Sequence, residues 1–159
     1  MESTTLGKTG EKVCRLGAGL TQLGQLSPDD VGTAGRILGA ALDAGINFFD
    51  TAECYGNSEE LIGKTVAHRR SEIVLATKAG HPPTGYSGQP WTVKTIVDSI
   101  DSSLVKLKTD HLDLVQLHAH DIAAPPPDEV IQAVLDAKES GKTRFLGYSG
   151  ENEDAEWAV

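Results

Sequence analysis

Short apolar runs alternate with amphipathic helical stretches along the whole chain, and this alternation limits the fold more than any other feature. Ile46-Asn47-Phe48-Phe49-Asp50, Ile73-Val74-Leu75-Ala76-Thr77-Lys78, Leu112-Asp113-Leu114-Val115-Gln116-Leu117-His118 and Thr143 to Ser149 read as strands. Between them lie helices with start and stop signals. Ser27-Pro28-Asp29-Asp30 offers a capping hydroxyl, a first-turn proline and carboxylates at the positive end of the helix dipole. Val31, Ala34, Leu38 and Leu42 follow on one face, and Gly45 stops the helix. Ser58-Glu59-Glu60 opens a second helix that runs to Arg69-Arg70. Thr92 caps a third, with Val93, Ile96, Val97, Ile100, Leu104 and Leu107 as its apolar stripe. Pro125-Pro126-Pro127-Asp128 leads into a fourth that faces inward through Val130, Val134 and Ala137 and ends at Gly141. Glu153 to Val159 reads as two turns of another. At the start, Thr5 to Val13 reads as a hairpin turning around Lys8 to Gly10, and Val13 to Leu20 as the strand after it.

Strands separated by helices run parallel, so the class is α/β. The 159 residues make a single domain, 1–159, with no internal boundary or low-complexity tract. Two architectures fit: a doubly wound sheet, or the first five units of a (β/α)8 barrel of the TIM type. The formal net charge of −9 repels phosphate backbones and anionic lipid, so neither nucleic acid nor a membrane is an expected partner. No apolar run approaches the ~20 residues of a membrane span, and Met1 to Lys12 is polar. Cys14 and Cys54 form no disulfide framework, and the expected compartment is the cytoplasm.

Asp50, Lys78, His118 and Ser149 end four successive strands, each about one βα unit from the next. Parallel barrel strands all open on one face, so these side chains can converge, with Tyr55 reaching the same mouth from the loop after Asp50. Singly, each has a plain reading: a helix-capping aspartate, a solvated lysine, a packed loop tyrosine, a core histidine. Together they form an acid, an ammonium, a phenol and an imidazole on one face. His118-Ala119-His120-Asp121 also resembles the paired histidines of metal-dependent barrel hydrolases. No further set of strand-end ligands accompanies it, so no metal is expected. Gly17-Ala18-Gly19 does not complete a dinucleotide fingerprint, because the next glycine is Gly24. It reads as a close approach of the first strand to ligand or core, and this weakens the doubly wound alternative.

At these residues the chain resembles the aldo-keto reductase family. The resemblance rests on Gly45 to Glu59, with its Asp50-Thr51-Ala52-Glu53-Cys54-Tyr55-Gly56 core, on Ala76-Thr77-Lys78, on Leu104 to His118, and on Gly141 to Ser149. It implies a barrel with an N-terminal hairpin on its floor, and an NADPH-dependent (or NADH-dependent) reduction of an aldehyde, ketone or sugar carbonyl. Tyr55 is then the proton donor. A phenol near pKa ~10 is a slow acid at neutral pH unless its anion is stabilised, which an adjacent ammonium achieves. The resemblance gives Lys78 that role, held by Asp50. His118 then orients the carbonyl oxygen through a hydrogen bond, and Ser149 binds the nicotinamide carboxamide. Gly19 and Thr21, with Asp50 and Ser149, are the candidate cofactor-binding residues.

The chain departs from the family pattern in two places. Ser149 is followed by Gly150 where the family has a Ser-Asn pair. Family members also carry three further βα units, so the chain is expected to be a C-terminally truncated domain of about five strands. A barrel left open is expected to expose the edges of its Val13–Leu20 and Thr143–Ser149 strands, to turn some of Val13, Ile46, Phe48, Val74 and Phe145 toward water, and to self-associate.

Overall fold

The computed structural model describes residues 1–83, 85–118 and 126–150. The chain opens on an antiparallel hairpin of β1 (Ser3–Thr5) and β2 (Lys12–Cys14), with Thr4 opposite Val13. Asn47 fastens the hairpin to the main sheet. Its Oδ1 accepts from the Cys14 amide at 2.8 Å, and its Nδ2 donates to the Lys12 carbonyl at 2.9 Å. The strand expected over Val13 to Leu20 is consequently two pieces, because Val13 and Cys14 finish the hairpin and β3 is only Ala18–Gly19. Gly17 lies at the break, where a Cβ would stand 3.0 Å from a Phe48 ring carbon.

Parallel pairing joins β3 to β4 (Phe48–Asp50), β5 (Val74–Ala79), β6 (Leu112–His118) and β7 (Thr143–Ser149), in that order. Strand order follows chain order without reversal, which excludes the doubly wound alternative. Four helices connect the strands: α1 (Val31–Asp43), α2 (Ser58–Thr65), α3 (Val93–Leu107) and α4 (Asp128–Glu139). Each packs on the next, as in the outer ring of a barrel. The result is an α/β fold of the (β/α)8 type, present as five strands with an N-terminal hairpin. The core lies between helices and sheet, where Leu38, Phe49, Leu61, Leu75, Ile96 and Val115 are almost fully buried. No helix among the described residues is long and apolar enough to cross a membrane. The helix expected over Glu153 to Val159 lies outside the described residues.

Several local expectations need correction. Asp30, not Ser27, is the α1 N-cap; the Ser27 hydroxyl accepts from the Asp29 amide instead. Val31 begins α1 but is exposed. The second helix ends at Thr65 and continues as a kinked 3-10 stretch over Ala67–Glu72, so it does not reach Arg70 as one helix. Thr92 does cap α3, accepting from the Thr95 amide at 3.2 Å. The inward face of α3 is nevertheless Thr95, Ile96, Ser99, Ile100, Ser103 and Leu107, with Val93 and Val97 exposed. Two hydroxyls on this face find partners inside: Ser99 donates to Glu53 at 3.1 Å and Thr95 to the Gln89 carbonyl at 2.5 Å. Of the side chains expected to meet water, Ile46, Phe48 and Phe145 are half-buried, but Val13 and Val74 are buried at the floor beside the hairpin.

Charge holds the floor of the sheet. Asp113 is 3% exposed; its Oδ2 accepts from the Leu75 amide at 2.8 Å and forms an ion pair with Arg70 at 2.8 Å, and its Oδ1 accepts from Arg144 at 3.0 Å. Arg144 also reaches Glu11 of the hairpin, so one carboxylate ties β5, β6, β7 and, through Arg144, the hairpin. Removing one member of a buried ion network leaves its partners uncompensated, at a cost of about 3–5 kcal/mol. Asp113→Ala should lower unfolding free energy by about that amount in urea titrations. Asp110→Ala, whose side chain is exposed, should change it by less than ~1 kcal/mol.

Candidate active site

Register decides which side chains meet at the mouth. Parallel partners face the same side of a sheet, and successive residues alternate. Gly19 is opposite Asp50, Asp50 opposite Ala76, Lys78 opposite Gln116 and His118 opposite Ser149. All of these lie on the concave face, toward the C-terminal strand ends. In β6 the outward Val115 and Leu117 are buried under helices while Leu114, Gln116 and His118 are half-buried, as expected for the inner wall of an open barrel.

The centre of the site is Lys78, 5% exposed. Its ammonium donates to both oxygens of Asp50 and to the Thr51 carbonyl, each at 2.9 Å. The same Nζ lies 5.0 Å from the centroid of the Tyr55 ring. Tyr55 and His118 meet edge to face with ring centroids 5.9 Å apart. Asp50, Tyr55, Lys78 and His118 are thus gathered as expected. Ser149 sits beside His118 in register, and Gly19 and Thr21 lie exposed at the mouth next to Asp50.

Three further residues share this site, and the strand-end pattern did not single them out. Gln116 donates to Asp50 Oδ1 at 3.3 Å. The His81 ring lies 4.8 Å from that of His118. Cys54 Sγ lies 3.6 Å from His118 Nδ1. Gln116 was findable by alternation, two residues before His118 on the same face; Cys54 and His81 arrive through loops. Burial, reinforced by the neighbouring His81 and Lys78 and opposed by Asp50, pushes His118 down to about 4. Burial likewise pushes the Cys54 thiol up. At neutral pH the site therefore faces its ligand with a neutral imidazole whose Nδ1 looks at a protonated thiol.

No group of three or more metal-ligating side chains occurs among the described residues. His120 and Asp121, the remainder of the metal alternative, lie outside them. For a nicotinamide, the donor set fits at one end. Ser149 supplies a hydroxyl beside His118, and a Cβ built on Gly19 meets no atom within 4 Å, which leaves the wall open next to Asp50.

Behind the mouth lies a second layer of buried polar groups. Thr51 donates to Ser58 at 2.9 Å, and Ser58 donates to the Leu20 carbonyl at 3.0 Å. Glu53 accepts from Lys106 at 3.1 Å as well as from Ser99. Glu59 accepts from Thr77 at 2.6 Å, whereas its Oε2 and the Ser103 hydroxyl beside it lack the alignment of a hydrogen bond.

A parallel sheet in chain order, with its polar strand ends gathered at one mouth, is the first part of a (β/α)8 barrel. An aldo-keto reductase from Bacillus halodurans, solved in its holo form, superimposes with a TM-score of 0.84 at 34% identity, covering 99% of this chain and 53% of that one. The sequence model of the Aldo/keto reductase family matches residues 15–158, and the chain belongs to that family. It is 36% identical to L-galactose dehydrogenase of Arabidopsis thaliana over 160 residues, covering 94% of this chain and 49% of that protein. It is 39% identical to 6-dehydroglucose reductase of Novosphingobium aromaticivorans over 163 residues, covering 94% and 51%. The chain spans about half the length of these relatives. The family is one of oxidoreductases, sugar dehydrogenases among them.

Glu59 generates a prediction about stability. Burial raises its carboxyl from 4.5 to about 7, against the pull of Thr77, Ser103 and Lys106 and with a push from Glu53. Between those values the folded chain holds a proton that the unfolded chain releases, so stability is full below 4.5 and falls as pH rises toward 7. A shift of that size corresponds to about 3 kcal/mol. Glu59→Gln keeps an acceptor for Thr77 and cannot ionise. In urea titrations at about pH 5 and about pH 8, it should lose less stability with rising pH than the parent by an amount of that order.

Proposed function

We propose that this chain carries the catalytic residues of an NADPH-dependent oxidoreductase that reduces an aldehyde, ketone or sugar carbonyl, with NADH as the alternative cofactor. The supporting observation is the buried Lys78–Asp50 bridge beneath the Tyr55 ring, facing His118. The names of two relatives, a galactose dehydrogenase and a dehydroglucose reductase, favour a sugar. Ser149, Gly19, Thr21 and Asp50 are the residues that would hold the nicotinamide end of the cofactor, which supplies a hydride when bound.

The protein's own share is the proton and the orientation. Tyr55 gives its hydroxyl proton to the carbonyl oxygen as negative charge develops there. The Lys78 ammonium, fixed by Asp50 and by the Thr51 carbonyl, stabilises the phenolate left behind. His118, with Nδ1 against the Cys54 thiol, carries its proton on Nε2 and donates it in a hydrogen bond to the same oxygen. A neutral imidazole suits this role, since it orients the carbonyl without competing as the acid. The cytoplasm is the compartment we assign, in keeping with two free cysteines.

Tyr55→Phe should lower kcat by ~10²–10⁴ in an NADPH-consumption assay while cofactor affinity stays within a few-fold. Turnover at the parental rate would remove Tyr55 from the mechanism, and cofactor binding without turnover of any carbonyl by the parent chain would mark a nicotinamide-binding relative instead. With His118 near 4, the rate should show no acid limb at the ordinary histidine value of about 6.5.

Self-association is a separate proposal. Among the described residues β3 pairs only with β4 and β7 only with β6, leaving an edge on each side of the sheet. The purified chain should therefore scatter light as oligomers whose mass rises with concentration. A concentration-independent monomer would show that those edges are covered.

A further inference from the structure

The glycine that spoils the dinucleotide spacing, Gly24, has a place of its own in the structure. The first part of the connection from β3 to α1, Leu20 to Leu26, crosses the segment that carries Tyr55, and at the crossing the two backbones touch. A Cβ built on Gly24 would lie 1.9 Å from the Tyr55 carbonyl oxygen and 2.7 Å from its carbon. On the other side of the crossing, a Cβ on Gly56 would lie 2.5 Å from the Gly24 carbonyl oxygen, and Gly56 adopts a left-handed φ of +52°. Hydrogen bonds fix the contact at three points. The Asn57 amide donates to the Gly24 carbonyl at 3.2 Å, the Asn57 side chain donates to the Leu26 carbonyl at 2.9 Å, and Ser58 donates to the Leu20 carbonyl at 3.0 Å.

We propose that Gly24 is a positioning residue for Tyr55, its missing side chain setting how far the Tyr55 backbone sinks toward Lys78 and His118. The proposal rests on the reading of Tyr55 as the proton donor. A methyl group and a carbonyl oxygen need roughly 3.5 Å between them, so a side chain at Gly24 displaces one backbone by more than an ångström. The Tyr55 carbonyl also accepts from the Ser58 amide at 3.0 Å, at the first residue of α2, so the displacement either breaks that bond or drags the helix start with it. A shift of ~1 Å in a reacting group costs about a hundredfold in rate. Sequence spacing could not expose this role, because Gly24 and Tyr55 are far apart in the chain and Gly24 touches no reacting atom.

The test uses the full chain with isotope-labelled tyrosine ring carbons observed by NMR. The three tyrosines are Tyr55, Tyr86 and Tyr148, and Tyr55→Phe assigns the resonance of interest. Gly24→Ala should shift the Tyr55 resonance, leave those of Tyr86 and Tyr148 in place, and lower kcat about a hundredfold with cofactor affinity within a few-fold. Gly39→Ala is the control, since a Cβ there meets nothing within 4 Å; it should change neither readout. Asn57→Ala adds no atoms and cuts only the side-chain tie to Leu26, so it should shift the same resonance by a smaller amount. An unmoved Tyr55 resonance in folded Gly24→Ala overturns the proposal, as does an unmoved one in Asn57→Ala if Gly24→Ala does not fold. Normal turnover by Tyr55→Phe, with the Tyr55 resonance still shifted by Gly24→Ala, would overturn the proton-donor reading and leave the positioning role of Gly24 standing. In a chain without turnover the resonance alone decides.

Discussion

Lys78 has three N–H donors, and three oxygens receive them: both carboxylate oxygens of Asp50 and the carbonyl of Thr51. An ammonium this deeply buried is tolerated only with such compensation, and the compensation has geometric consequences. Asp50 must end β4 on the concave face, and the chain must turn at Thr51 so that its carbonyl points back toward β5. That turn sends residues 52–57 across the top of the sheet and brings the Tyr55 ring over the same ammonium. The ion pair therefore orders the mouth before any ligand arrives, and the remaining site residues are placed relative to it.

The second layer keeps the turn from relaxing. Ser58 joins α2 to the start of the chain's first crossover and Glu59 joins it to β5, while Glu53, in the segment after β4, joins that segment to α3. The Ser99–Glu53 bond explains one of the hydroxyls that α3 buries where a purely apolar stripe was expected, and the bond from Thr95 to the Gln89 carbonyl explains another. The helix does not pack on hydrocarbon alone. It also closes over Glu53, to which Ser99 donates and for which Lys106 supplies the cation.

What was legible in the sequence was whatever the chain encodes locally. Strand ends, capping signals and the glycines at Gly45 and Gly141, both with positive φ, identify the βα units and their order. The candidate catalytic set was visible for a related reason: each member ends a strand or follows one closely, so the one-unit spacing lines the members up. Features that depend on distant partners were not legible. The split between β2 and β3 requires Asn47 to hold Cys14, and the polar face of α3 requires Glu53, which lies on another element. Val31 looked like core because its spacing from Ala34 is helical, yet it lies exposed at the first residue of α1. Cys54 and His81 reach His118 through loops, whose paths no periodicity records.

Register is the step that joins the two ends of the molecule. Side chains on a strand alternate with a period of two, so a slip of one residue in β5 would turn Lys78 outward and Thr77 into the barrel. At the mouth, the Lys78–Asp50 pair opposes such a slip on one flank of β5. At the floor, Asp113 opposes it on the other, because its carboxylate takes the Leu75 amide where the backbone ladder between β5 and β6 has not yet begun. Between these charged ends the inner wall carries Ala76, Leu114 and Phe145 in register, apolar side chains whose contacts have no direction. The apolar layers thus supply cohesion while the charged ends supply alignment. A barrel of this kind needs both before a phenol, an ammonium and an imidazole can share one mouth.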